Sequence, residues 1–216
     1  MSYHEIIYFI ILLIPLITGV VRYKKLTIPF KILTFSVIVA LFWEILSEIF
    51  ALRYNNNAFI SHLQGVSGYI FYSIVFFYLF KSSLTKKAVL ISVILVIIFS
   101  IINALFIQPY DQVFPTNVYL ITNAFGVIFS LLIFKQMLQY PLEVNIIKQS
   151  IFWFNTAILL FSATMFLNMG FTNYYAKHKW GMDIIFYIWF CSDCLLNILI
   201  SISLLTDNKE NSIQYG

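Results

Sequence analysis

The sequence predicts an all-α integral membrane protein, a bundle of seven transmembrane helices with the N-terminus outside and the C-terminus cytoplasmic. Three observations predict it. Of 216 residues, 61% are hydrophobic and 10% charged, with a mean hydropathy of +0.90, far from the balance of a water-soluble domain. The apolar residues fall into seven runs, each near the ~20 residues a helix needs to cross the hydrocarbon core. Finally, Arg22, Lys24, Lys25, Lys31, Lys81, Lys86, Lys87, Lys135, Lys148 and Lys209 belong to one side of that topology, against Arg53, Lys177 and Lys179 on the other, ten to three. An excess of Lys and Arg marks the cytoplasmic side. The expected location is therefore the plasma (inner) membrane of a bacterium, with a multi-pass topology.

Span one covers residues 6–21. Its Pro15 is tolerable where neighbouring helices satisfy the carbonyl it frees. Glu5 precedes the run and Arg22, Lys24 and Lys25 follow it, the reverse of a secretory leader, so the segment is expected to remain as a span. Span two, residues 32–52, carries Glu44 and Glu48 on a stripe with Ser36, Ala40, Ser47 and Ala51; spacings of three and four put these on one helical face. Arg53 and three asparagines lead to span three, residues 62–80. Ser61 with Gln64 three positions on predicts a capped start, and Gly65, Ser67 and Gly68 make the first turns small and polar.

A basic loop, 81–87, precedes span four, residues 88–107, which holds Asn103 and is stopped by Gln108-Pro109. Loop 108–117 contains two prolines and offers Thr116 or Asn117 as a helix cap. Span five, residues 118–138, aligns Tyr119, Asn123, Gly126 and Ser130. A loop through Pro141, Glu143 and Lys148 reaches span six, residues 150–170, with Asn155, Ser162 and Asn168. After an aromatic, basic loop, Asp183 is predicted to cap span seven, residues 184–205, where Asp193, Asn197 and Ser201 recur every fourth position. Residues 1–206 form one expected membrane domain, and 207–216 a short cytoplasmic tail expected to fray.

Glu44 and Glu48 lie one turn apart inside an apolar run. Carboxylates at such positions are costly in hydrocarbon and face a bundle interior, a partner or water. Counted from the outer helix ends at 1.5 Å per residue, Glu44 and Asp193 both lie ~12–14 Å deep, at one level near the midplane. Glu48 is a turn nearer the surface, and His62, Asn103, Asn123 and Asn168 also fall in the outer half. The expected site is an outward-facing polar pocket. Its ligand-binding candidates are Glu44, Asp193, Glu48, His62, Asn123 and Asn197, with Trp43 and Trp189 as apolar walls. Trp153 also lies within a span, whereas Trp180, Tyr174 and Tyr175 fit an interfacial belt.

Glu44, Glu48, His62 and Asp193 have metal-ligand chemistry but no tight spacing motif, so no metal site is assigned, and catalytic residues and cofactors stay open. Cys191 and Cys194 read as buried small hydrophobes rather than a redox pair. Nothing in the composition points to nucleic acid; the partners expected are membrane lipids, a small or lipid-like ligand and a signalling protein.

Gly65-Val66-Ser67-Gly68 resembles the GxSG nucleophile segment of rhomboid proteases. Serine needs a positioned base, and no later span holds a histidine. Close packing of helices through Gly65 and Gly68 is the simpler expectation. The histidine inventory likewise excludes a ceramidase-like zinc site, and span seven has no lysine for a retinal Schiff base. Gln108-Pro109 at a helix end is the reverse of the Pro-Gln that a PQ-loop transporter carries within matching helices. Residues 108–117 and 151–160 are similar to stretches of uncharacterised bacterial seven-span domains, some of which precede signalling modules. That resemblance implies a sensor-like membrane domain and carries no functional residue across. With only a short tail after Leu205, no output module is expected on this chain. The resulting expectation is a sensory or ligand-binding membrane module. The alternatives are a proton-coupled small-molecule transporter, with Glu44 or Asp193 carrying the proton, and an intramembrane lipid-processing enzyme.

Overall fold

The computed structural model describes residues 3–140, 145–178 and 183–209. Pro141, Glu143, Lys179, Trp180 and the tail from residue 210 lie outside the described residues. The described chain forms α1 (Tyr3–Arg22), α2 (Ile28–Tyr54), α3 (Ala58–Leu79), α4 (Ser83–Ile102), α5 (Thr116–Gln139), α6 (Ser150–His178) and α7 (Asp183–Thr206). All seven are long and apolar enough to cross a membrane, and among the described residues there is no strand. The protein is therefore a polytopic membrane helix bundle.

Several helix ends differ from those the sequence predicts. Helix α2 starts before the expected span because Pro29 sits in its first turn, where its fixed φ is already helical and its missing N–H costs nothing. It ends at Asn55, whose left-handed φ of 51° suits Asn better than most residues. The start of α3 is capped by Asn56, whose Oδ1 accepts the Ala58 N–H at 2.8 Å. Ser61 is already inside the helix and donates back to the Asn57 carbonyl. Nor do Thr116 and Asn117 cap α5. Gln108 does so from the preceding loop: its Oε1 accepts the Asn117 N–H at 3.1 Å and its Nε2 donates to Thr116 Oγ1 at 2.6 Å. Asp183 lies in the first turn of α7, where a carboxylate faces the positive end of the helix dipole.

Helix packing closes a ring. In order around it, α1 meets α2, α2 meets α3, α3 meets α5, α5 meets α6, α6 meets α7, and α7 returns to α1. Helix α4 packs on α3 and α5, outside the ring. Successive helices alternate in direction, so the start of α1 shares one end of the bundle with the end of α2 and the starts of α3, α5 and α7.

At the opposite end the ring is solid. Phe154 of α6 is 0% exposed and its ring centroid lies 5.4 Å from Phe76, 6.4 Å from Phe30 and 6.5 Å from Tyr72. Leu33, Phe129, Ile133 and Leu204 complete this core. The glycines of α1 and α5 permit the closest approaches. A Cβ on Gly19 would lie 2.5 Å from Thr34 Cγ2, and one on Gly126 would collide with the Ser162 hydroxyl, so these small residues act as the packing seams that membrane helices use in place of a hydrophobic driving force.

Asp207, assigned by sequence to a fraying tail, is a latch. It is 4% exposed. Its carboxylate accepts the Thr27 N–H at 2.7 Å, the Thr27 hydroxyl at 3.3 Å and the Ser150 hydroxyl at 3.2 Å. Its carbonyl accepts Arg22 Nη2 at 2.8 Å, and Arg22 Nε donates to the Leu204 carbonyl. One residue thus ties α1, α2, α6 and α7. Asp207→Ala strands the Thr27 and Ser150 donors and is expected to cost about 2 kcal/mol, read by thermal unfolding in detergent. Burial, against the pull of Thr27, Ser150 and Arg22, holds this carboxyl above the usual carboxylate range. A raised folded-state value means a contribution fully present below about pH 3.9 and lost as pH rises through the folded value. Asp207→Asn should remove that part of the slope.

Candidate functional site

Toward the other end the ring is hollow. A cavity of about 670 Å3 lies between α1, α2, α3, α5, α6 and α7, within the size range of small-molecule sites. Helix α4 contributes nothing to it. The difference between the two ends is in the residues: Phe and Leu fill the solid half, whereas small residues such as Ala40 and Gly68 line the cavity. Small side chains on several helices leave a void that the larger ones do not fill.

The polar wall is built from four helices. Glu44 of α2 accepts Tyr8 Oη from α1 at 3.1 Å and Gln64 Nε2 from α3 at 2.6 Å, both on Oε1. Asp193 of α7 accepts Asn197 Nδ2 on Oδ2 at 2.9 Å, and the same amide also reaches the Asp193 main-chain carbonyl. The Tyr8 hydroxyl stands beside the Asp193 carboxylate as well as bonding Glu44. Glu44 and Asp193 are therefore neighbours at one depth, as counting residues from the helix ends predicts, with Tyr8 between them.

The remaining predicted residues separate into those that line the cavity and those that do not. Glu48, Asn123, Asn197, Trp43 and Trp189 line it. Asn123 turns its amide to the Tyr119 carbonyl at 2.7 Å, and Trp189 lies 5.7 Å from the Tyr8 ring. The Trp43 indole nitrogen is buried without an acceptor among the described residues. His62 is not in the wall: it is 5% exposed and its Nε2 meets the Val113 carbonyl at 3.1 Å. Histidine there fastens α3 to loop 108–115, helped by the hydrogen bond from Asn56 to the Asp111 carbonyl. Among the described residues no group of three His, Cys, Asp or Glu could hold a metal ion, so the set of Glu44, Glu48, His62 and Asp193 is not assembled. Asn103 is also redirected. It donates to Gln108 Oε1 at 3.1 Å and accepts from Asn117 at 3.2 Å, in a polar knot outside the ring. Trp153 bonds the Ile147 carbonyl at 2.7 Å, away from the cavity.

No protein family model, curated protein or solved structure matches this chain. Function therefore has to be argued from the cavity itself.

Sequence reasoning missed Tyr8, Gln64, Tyr72 and Tyr119, all of which line the cavity. A signal existed for the tyrosines. A phenol inside an apolar span must place its O–H on a partner, and an acid on a neighbouring span is the natural acceptor. The spacing from Ser61 predicts a capping role for Gln64, whereas its amide reaches Glu44 on the cavity wall. Gly68 is the clearest reversal. A Cβ there would meet nothing within 4 Å, so the glycine widens the cavity and does not seat a neighbouring helix. Gly65 is different: its Cβ would lie 3.1 Å from the Tyr119 ring, a true close approach. Cys191 is exposed and Cys194 half-buried, both as free thiols.

Proposed function

We propose that the protein is a ligand-binding membrane module that receives a small, largely apolar molecule in the ring cavity and communicates its occupancy to a partner protein. The observation that carries this reading is the placement of one hydrogen-bonded polar cluster, Glu44, Tyr8, Gln64 and Asp193, on the wall of a cavity whose lining is mostly apolar. A few convergent polar groups in an apolar concavity are the usual form of a small-molecule site. Under the topology that the basic residues favour, the cavity belongs to the outer half of the bilayer and the Asp207 latch to the cytoplasmic side. Four of the six helices that line the cavity at one end are joined by that latch at the other, which supports transmission along them.

The test uses intrinsic tryptophan fluorescence of the protein in nanodiscs titrated with 4-phenylbutan-1-ol. A saturable change is expected that falls in Trp43→Phe and Trp189→Phe and persists in Trp153→Phe, since only the first two line the cavity. A response unchanged in both cavity variants would show that the probe binds elsewhere and would defeat the reading. Proteoliposomes that accumulated the probe only under a proton gradient would instead move the assignment to the transporter alternative.

A further inference from the structure

The cavity carries a charge pattern that selects its occupant. Glu44, Glu48 and Asp193 all line it, and among the described residues no Lys or Arg does. Among the described residues neither Glu44 nor Asp193 has a basic partner: the donors to them are the neutral Tyr8, Gln64 and Asn197. An ionised carboxylate withdrawn from water without a counterion is costly, and neutral donors offset only part of that cost. Each carboxylate has about four lone-pair sites, so the bonds from Tyr8 and Gln64 leave Glu44 able to accept more, and Asp193 likewise.

Aromatic faces supply the second, independent part of the pattern. Tyr8, Trp43, Tyr72, Tyr119, Trp189 and Phe190 all line the same space as the two acids. Ring faces carry negative electrostatic potential and attract a cation, most strongly where water is excluded. An anion would face both the carboxylates and the rings unfavourably. A neutral molecule would fill the volume but leave the acids uncompensated.

Resting on the ligand-binding reading above, we propose that the ligand is an amphipathic organic amine. Its ammonium group sits between Glu44 and Asp193, donating to both, and its apolar body extends along the aromatic wall. An ammonium offers three donors, enough to bridge two carboxylates and still meet a phenol oxygen such as that of Tyr8.

Three probes with one skeleton test this at pH 7: 4-phenylbutylamine, 4-phenylbutan-1-ol and 4-phenylbutanoate. They are titrated onto the whole protein in zwitterionic phosphatidylcholine nanodiscs, with empty nanodiscs as baseline. The amine is expected to bind at least about tenfold more tightly than the alcohol, and the carboxylate more weakly than either. In the nearly isosteric Glu44→Gln/Asp193→Asn double variant the ratio of amine to alcohol affinity should fall to about one. Equal binding of amine and alcohol to the wild-type protein overturns the proposal and leaves the cavity reading intact. Persistence of the preference in the double variant also overturns it, because the charge would then be read elsewhere. If none of the three binds, both readings fall. Should the double variant not fold, the single variants Glu44→Gln and Asp193→Asn report the same preference, and the wild-type ordering remains decisive by itself.

Discussion

Gly68→Phe should close the cavity without unfolding the protein. The site at which a Cβ would be added has no neighbour within 4 Å and lies on the cavity wall, so the new side chain starts in open space and extends into the volume the ligand would use. Replacing Gly inside a helix also removes its entropic penalty, a gain of a few tenths of a kcal/mol for Phe. Binding of both 4-phenylbutylamine and 4-phenylbutan-1-ol is expected to weaken by at least about tenfold, with a thermal unfolding midpoint equal to or above that of the wild type. Gly65→Phe is the informative contrast. There the Cβ would lie 3.1 Å from two ring carbons of Tyr119, so binding and stability should fall together. If Gly68→Phe bound both probes normally, the cavity would not be where they bind.

Phe154→Ala is expected to produce the largest loss of stability from a single change. The ring is 0% exposed and stands in edge or tilted contact with Phe30, Tyr72 and Phe76, so its removal leaves a hole bounded by α2, α3 and α6. Truncating a buried Phe costs about 3–5 kcal/mol in water-soluble cores. In a bilayer the transfer part of that cost shrinks, because lipid is as apolar as the core, and the lost packing contacts remain. About 3 kcal/mol is therefore expected, measured by chemical unfolding in mixed micelles. A loss below about 1 kcal/mol would mean the solid half of the ring collapses around the gap. The probes should still bind to the fraction that is folded, since Phe154 is not part of the cavity wall.

These two residues mark the limits of sequence reading in opposite ways. Gly68 and Phe154 both occur in apolar helices with no local clue to what they face. The sequence predicts Gly68 to be a packing contact; it turns out to be open space. The acids are more legible. Glu44 and Asp193 are expensive in hydrocarbon wherever they point, so counting residues from the helix ends was enough to place them at one level. His62 and Asn103 obeyed the same depth count but serve loop 108–117 and its surroundings, because depth says nothing about direction around the helix axis.

What the sequence determined by itself is the class of molecule, the number of spans and the matching position of the two central acids along their helices. Each follows from quantities measured along one chain segment: apolar length against bilayer thickness, and rise per residue. Only the tertiary structure decided that six helices close a ring with α4 outside it, that Tyr8 and Gln64 converge on Glu44, and that one end is solid while the other is hollow. In water, the polar face of a helix announces which side is buried. In a membrane both lipid and protein interior are apolar, so rotation about each helix axis is set by side-chain packing and a few hydrogen bonds between helices. Those exist only once the helices have come together.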